Sequence, residues 1–135
     1  MSGYSVSELG GLDTWGEEEG TAKRFVDGES ALYAGMSVNS TDPGQSSPFW
    51  HRHGRLEELY VFLDGRGQMA LDDSVAPVQA GTVIRVAPQV WRAVHSAADS
   101  DRPLKWLCLR AGGDTLAAIG RDGERDGERP FPWSA

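Results

Sequence analysis

Turn signals recur along this sequence at intervals of about 8–12 residues, and this regular spacing limits what the chain can fold into. The 17 glycines and 7 prolines supply many of these turns. The apolar runs between them are rich in Val, Leu, Tyr and Phe and are shorter than a typical helix. The pattern indicates an all-β sandwich or barrel. We predict strands over residues 21–26, 31–38, 48–53, 56–63, 68–71, 75–79, 83–87, 90–95 and 104–110.

Length and charge narrow the class of protein further. A chain of 135 residues fits one domain with its own core. Its single cysteine, Cys108, leaves no internal disulfide, which favours a reducing compartment, and we expect a small buried hydrophobe there. The first 15 residues have no basic segment followed by an apolar one, so we expect no signal peptide. No apolar run approaches the roughly 20 residues of a membrane span, and we expect a cytoplasmic protein. The net charge of −7 argues against nucleic-acid and anionic-membrane partners.

The two ends of the chain differ in composition from the middle. Residues 1–20 are rich in Gly and Glu and predict an irregular N-terminal arm, ahead of a β domain over residues 21–115. Arg-Asp-Gly-Glu occurs twice between Arg121 and Arg129, and residues 116–135 predict a charged, flexible C-terminal tail. An alternative for the terminal aromatics is that Phe131 and Trp133 dock on the barrel or on a dimer mate.

Two histidines and a glutamate form the main chemical pattern. His51 and His53 are two residues apart, so in a strand both imidazoles point to the same face. Glu58 follows a Gly-Arg turn, early in the returning strand, while alternation places Glu57 on the opposite face. Two imidazoles and one carboxylate suit a divalent metal ion, with Fe(II), Mn, Ni, Co and Zn as candidates.

The spacing around this pattern resembles the first signature of the cupin family. That signature is Gly-x5-His-x-His, then three or four residues, then Glu-x6-Gly, and Gly44, His51, His53, Glu58 and Gly65 follow it. The departure is one extra residue between Gly44 and His51. The resemblance covers about residues 30 to 112. It implies a single-domain jelly-roll β-barrel, also described as a double-stranded β-helix, and a homodimer formed through a strand or arm at a sheet edge.

The second cupin signature, Gly-x5-Pro-x-Gly-x2-His-x3-Asn, is only partly present. Gly81 fits, but Arg92 stands where the family places a third metal-binding histidine, and Ala87, Gln89 and Ser96 replace its Pro, Gly and Asn. Three interpretations of Arg92 are open. The metal keeps three ligands and Arg92 binds an anionic substrate; His95 becomes a ligand through a β-bulge; or no metal binds and Arg92 pairs with Glu58.

Because one fold can host many unrelated activities, the function has to be inferred from the residues of the site. Tyr60 and Phe62 share the face of Glu58, so we expect them in the substrate pocket beside Arg92, while no catalytic acid or base is evident. We predict a metal-dependent enzyme acting on a small molecule, with an anion as one option and with Fe(II) and dioxygenase-type chemistry favoured. The alternatives are a metal-dependent isomerase or decarboxylase, and a non-catalytic barrel that binds a small ligand.

Overall fold

The fold is described by a computed structural model for residues 3–15, 22–26 and 31–133. Within those residues, ten strands form two five-stranded antiparallel sheets. The first sheet has the order β1-β2-β9-β4-β7, with β1 at Ala22–Phe25, β2 at Ala34–Thr41, β9 at Leu104–Ala111, β4 at Glu57–Asp64 and β7 at Val83–Val86. The second has the order β10-β3-β8-β5-β6, with β10 at Gly123–Asp126, β3 at Trp50–His53, β8 at Arg92–Ser96, β5 at Arg66–Leu71 and β6 at Ser74–Gln79. The predicted all-β jelly roll is confirmed.

Every predicted strand overlaps an observed one, and the largest shift is in β2. The sequence suggested a strand over residues 31–38 followed by a polar loop, whereas β2 continues to Thr41 by pairing with β9. Its polar end is buried, and the Asn39 side chain donates a hydrogen bond to the Ser37 hydroxyl at 3.1 Å. The polar residues at the end of β2 are therefore buried strand residues and do not form a loop.

The core lies between the two sheets and explains the alternation along β4. Glu58, Tyr60 and Phe62 point inward and are buried, while Glu57 and Leu59 point outward and are exposed. Phe62 is fully buried and packs against Trp106 at a ring-centroid distance of 5.7 Å. This corrects the expectation that Phe62 lines the substrate pocket, because its side chain fills the core instead.

The described part of the N-terminal arm lies against its own barrel. It contains a short 3-10 helix at Leu12–Thr14, and the Lys105 ammonium donates to the Leu12 carbonyl at 2.7 Å. The Arg24 guanidinium donates to the Leu9 carbonyl at 3.0 Å. Residues 16–21 lie outside the described part, so a role of the arm in dimer formation stays a prediction.

The C-terminal segment is structured over its described residues, which corrects the expectation of a solvated tail at 116–135. A short helix, α1 (Leu116–Ile119), begins at Thr115, whose hydroxyl accepts from the Ala118 amide at 3.2 Å. β10 then pairs antiparallel with β3, with Arg125 opposite His51. The middle of the charged repeat thus forms the edge strand β10. Its side chains are mostly exposed, and its backbone pairing with β3 holds it in place. No helix among the described residues is long and apolar enough to cross a membrane.

Aromatic rings hold the end of the chain on the second sheet. Phe131 stacks on Trp50 at a centroid distance of 6.0 Å, and Trp133 stacks on Phe131 at 5.2 Å. Trp133 also stacks on His95 at 5.0 Å and donates its indole N–H to the Ser46 hydroxyl at 2.8 Å. We call Trp50, His95, Phe131 and Trp133 the aromatic clasp. The clasp matches the alternative expectation, that the terminal aromatics dock on the barrel.

Candidate metal centre

The β3–β4 hairpin brings together the three predicted ligands. His51 and His53 project from one face of β3, and Glu58 projects from β4 after the turn at Gly54-Arg55. The Nε2 atoms of His51 and His53 lie 3.5 and 3.6 Å from Glu58 Oε1. One donor atom from each residue lies within 4.8 Å of the other two. Ligand atoms about 2.1 Å from a metal ion in a tetrahedral arrangement are about 3.4 Å apart, so this group could hold a divalent ion.

Asp122, in the turn before β10, fixes the orientation of His53. Its Oδ1 lies 2.8 Å from His53 Nδ1, and its Oδ2 accepts from the backbone amides of Arg55 at 2.7 Å and Leu56 at 2.9 Å. Burial alone would raise the pKa of Asp122, but these hydrogen bonds lower it, so Asp122 is an ionised acceptor. In its neutral form, His53 therefore carries its proton on Nδ1 and presents the lone pair of Nε2 to the site, as metal-ligating histidines require.

Asp122 is not predicted from the sequence, because residue 122 falls in the segment expected to be a charged, flexible tail. The signal that could have found it is weak. The Asp-Gly pair at 122–123 is compatible with the start of a strand. The residues after it are mostly charged, however, and this composition is also typical of a solvated tail. The partner of His53 therefore emerges only from the pairing of β10 with β3.

Replacing Asp122 with asparagine is expected to weaken metal binding by about 10–100-fold, the usual cost of losing such a supporting carboxylate. An amide has one oxygen, so it cannot accept from His53 and from both backbone amides at once. Either His53 adopts the wrong tautomer or the Arg55–Leu56 turn loses its acceptor. Competition titration against a chromophoric chelator measures the affinity, and thermal unfolding of the metal-free protein checks its fold.

The control for that variant is Asp114→Asn, because the Asp114 carboxylate is half-exposed and lies 4.0 Å from Arg55 without reaching a ligand. We expect its metal affinity to equal that of the parent protein. Equal affinities for the Asp114 and Asp122 variants would remove Asp122 from the site.

The Glu58 carboxylate is held by three protein donors. Its Oε1 accepts from Arg92 Nη1 at 2.7 Å and from the Tyr60 hydroxyl at 2.9 Å, and its Oε2 accepts from Cys108 Sγ at 3.1 Å. Burial would raise the pKa of Glu58, but the hydrogen bonds and charges of His51 and His53 hold that pKa well below its usual range. Glu58 is therefore an anion fixed in one position.

Tyr60 and Cys108 both remain protonated next to this anion. Burial raises the pKa of each well above its usual value, and the charge of Glu58 adds to the effect. Both groups therefore act as hydrogen-bond donors that orient Glu58. The sequence suggested a small buried hydrophobe at Cys108, and the buried thiol also makes this polar contact, which alternation alone did not reveal.

Arg92 holds Glu58 rather than a substrate. Its side chain is fully buried, Nε and Nη2 donate to the Val90 carbonyl at 3.1 and 2.9 Å, and Nη2 also donates to the Ala87 carbonyl at 3.2 Å. The remaining strong contact is the ion pair with Glu58. The predicted substrate contact is therefore replaced by the Arg92–Glu58 pair, because backbone carbonyls and the carboxylate surround the guanidinium.

His95 lies away from the candidate site, contrary to the interpretation that it replaces the missing histidine. Its Nδ1 is 2.8 Å from the Ser46 hydroxyl, and its ring belongs to the aromatic clasp. That interpretation needed a β-bulge, but the pairing of β8 with β5 is uninterrupted from Ser96 to Arg92. His95 and Arg92 consequently face opposite sides of the sheet.

A cavity opens beside the three ligands, between the inner faces of the sheets. It consists of two adjoining pockets of about 320 and 410 Å³, near the lower end of the range of about 300–1,000 Å³ for small-molecule sites. We call it the inner cavity. Tyr60 and Arg92 line the first pocket, and His53 and Glu58 line the second. The residues shared by both pockets are Lys23, Phe25, Phe49, His51, Cys108 and Arg125.

Comparisons with known proteins agree with this architecture. A family model described as "Cupin domain" matches residues 38–110. An uncharacterized protein of Methanocaldococcus jannaschii is 35% identical over 80 residues, which cover 57% of this chain and 62% of that protein. The chain thus matches about three fifths of the length of this curated relative.

Solved structures show the same fold. A cupin protein from Bacteroides fragilis is 27% identical with a TM-score of 0.69, over 84% of this chain and 87% of the other. A Klebsiella pneumoniae protein with a double-stranded β-helix domain is 14% identical with a TM-score of 0.68, over 89% and 97% of the two chains. The second likeness concerns the fold alone.

Proposed function

This chain belongs to the cupin family, and on that basis we propose that it is a metal-dependent enzyme acting on a small molecule in the inner cavity, with dioxygenase-type chemistry as the first expectation. The observation that carries the proposal is the group of His51, His53 and Glu58, whose donor atoms have the spacing of metal ligands. Asp122 supports one of the imidazoles, and Arg92 supports the carboxylate.

Three protein ligands are fewer than a divalent metal accepts. Because Arg92 occupies the position of the family's third histidine and is held on Glu58, the chain offers no third imidazole at that point. A bound Fe(II) ion would supply a reactive centre with open coordination positions, as in two-His-one-carboxylate oxygenases.

The lining of the inner cavity favours oxygen chemistry over proton transfer. Among the described residues, the lining carboxylates are Glu58 and Glu124, and Glu124 is paired with Arg52 at 3.0 Å. Tyr60 and Cys108 stay protonated next to Glu58, so neither is a ready base. An isomerase would need a positioned acid and base, and these residues are a poor match to that requirement.

Oxygen consumption by the iron-loaded protein tests the proposal. The chelator-treated protein is reconstituted with Fe(II) without air and then mixed with a panel of small organic acids in an oxygen electrode. We expect consumption that depends on a particular acid and is absent from the same protein loaded with Zn(II), since zinc keeps the site filled and has no redox chemistry. Product formation without oxygen uptake would replace the dioxygenase proposal with an isomerase or decarboxylase.

The buried Arg92–Glu58 pair favours a second candidate, a non-catalytic barrel that binds a small ligand. The guanidinium neutralises the carboxylate at 2.7 Å, so the two charges balance each other without a metal ion. This candidate predicts that the protein retains no metal after anaerobic reconstitution. It also predicts that small acids bind without being converted.

A further inference from the structure

We propose that the inner cavity binds a small organic carboxylate with a flat apolar body. In this arrangement Lys23, Arg110 and Arg125 hold the acid group at the mouth, and Phe25 and Phe49 contact the body. We call these three cations the cationic rim. The inference deepens the proposed function, since it names the class of molecule that would reach the metal ligands.

Strand pairing places the cationic rim on the inner face. Arg125 of β10 lies opposite His51 of β3, so its side chain projects to the same side as the imidazole. Arg110 of β9 lies opposite Glu58 of β4 in the same manner. Lys23 reaches this face from β1, where it is paired with Asn39 of β2. Three cations from three strands thus converge above the ligands.

The charge of the rim is opposite to that of the whole protein. The chain carries a net charge of −7, yet the described cations lining the two pockets are Lys23, Arg92, Arg110, Arg121 and Arg125, against the acids Glu58 and Glu124. Both acids are already paired with arginines, Arg92 and Arg52. Among the described residues, cationic side chains therefore outnumber carboxylates around the mouth, and this excess favours the binding of an anion.

Aromatic rings beneath the cations define the apolar part of the molecule. The Arg125 guanidinium lies 4.5 Å from the centroid of Phe49. The Phe25 ring has Arg110 at 4.9 Å and Lys23 at 4.9 Å, and its side chain is 58% exposed. Guanidinium groups match the planar geometry of a carboxylate, and the two rings add apolar surface beside them for a flat hydrocarbon. An acid anchored here directs its other end inward, towards His51.

Calorimetric titration with benzoate tests the proposal in both metal-free and zinc-loaded protein. We expect benzoate to bind, benzamide to bind much more weakly because it lacks the charge, and inorganic phosphate to bind more weakly because it lacks the ring. Arg125→Met keeps an unbranched aliphatic side chain but removes the charge, and it is expected to lower the affinity for benzoate by about 10-fold, the lower end for a charge-assisted contact. Lys23→Met should also lower the affinity for benzoate.

Arg66→Met is the matched control, because Arg66 pairs with Asp99 at 2.8 Å and lines neither of the two pockets. Its affinity for benzoate should equal that of the parent protein. The proposal is overturned if benzoate does not bind, if benzamide or phosphate binds as tightly, or if Arg125→Met leaves the affinity unchanged. Because the affinity for benzoate is also measured in metal-free protein, this result tests the carboxylate site independently of metal binding.

Discussion

Alanine at His51 or at His53 is expected to reduce bound metal from about one equivalent to essentially none. Each imidazole supplies one of three ligands, and the loss of a ligand should exceed the roughly 100-fold upper cost of losing a supporting residue. The remaining imidazole and Glu58 make a two-ligand set that dilute metal does not fill. Elemental analysis after reconstitution and desalting provides the measurement.

The chain supplies its own control, because its third histidine is outside the site. His95 belongs to the aromatic clasp and bonds to Ser46. His95→Gln is therefore expected to keep a full equivalent of metal. Metal retained by both the His51 and His53 variants, or lost from all three, would contradict the assigned ligands.

Replacing Arg92 with methionine is expected to destabilise the metal-free protein by about 3–5 kcal/mol, the range for breaking a buried ion pair on one side. The variant leaves the Glu58 carboxylate buried without its 2.7 Å partner. Chemical denaturation of the parent protein and the variant at the same pH gives the difference in the free energy of unfolding.

A double variant separates this cause from a loss of packing. Arg92→Met with Glu58→Gln removes both charges, so it should recover a large part of the lost stability. Arg85→Met is the exposed control, since Arg85 and Glu57 pair at 3.1 Å with more than half of each side chain exposed. Its cost should be about 0–1 kcal/mol. No recovery in the double variant would mean that Arg92 acts through volume alone.

The sequence predicts the strands and the three ligands because both depend on local regularities. Turn residues mark the ends of strands, and a period of two places His51 and His53 on one face, with Glu58 on the inner face of the next strand. The cupin spacing adds the fold. None of these inferences requires knowledge of which distant residues come into contact.

The features that the sequence does not determine all depend on distant contacts. Arg92 was compatible with three roles, and only its surroundings, two backbone carbonyls and Glu58, select one. Asp122 and Arg125 were assigned to a solvated tail because an edge strand with charged side chains has the composition of a tail. Its backbone hydrogen bonds leave no trace in composition.

Asp122 follows His53 by 69 residues, and this separation has a consequence for how the finished molecule is made. On the ribosome, the β3–β4 hairpin emerges early and can meet a metal ion before the residue that sets the His53 tautomer has been synthesised. A chain that ends before β10 lacks this carboxylate, so we expect any metal affinity of the hairpin to be about 10–100-fold lower until β10 has been made.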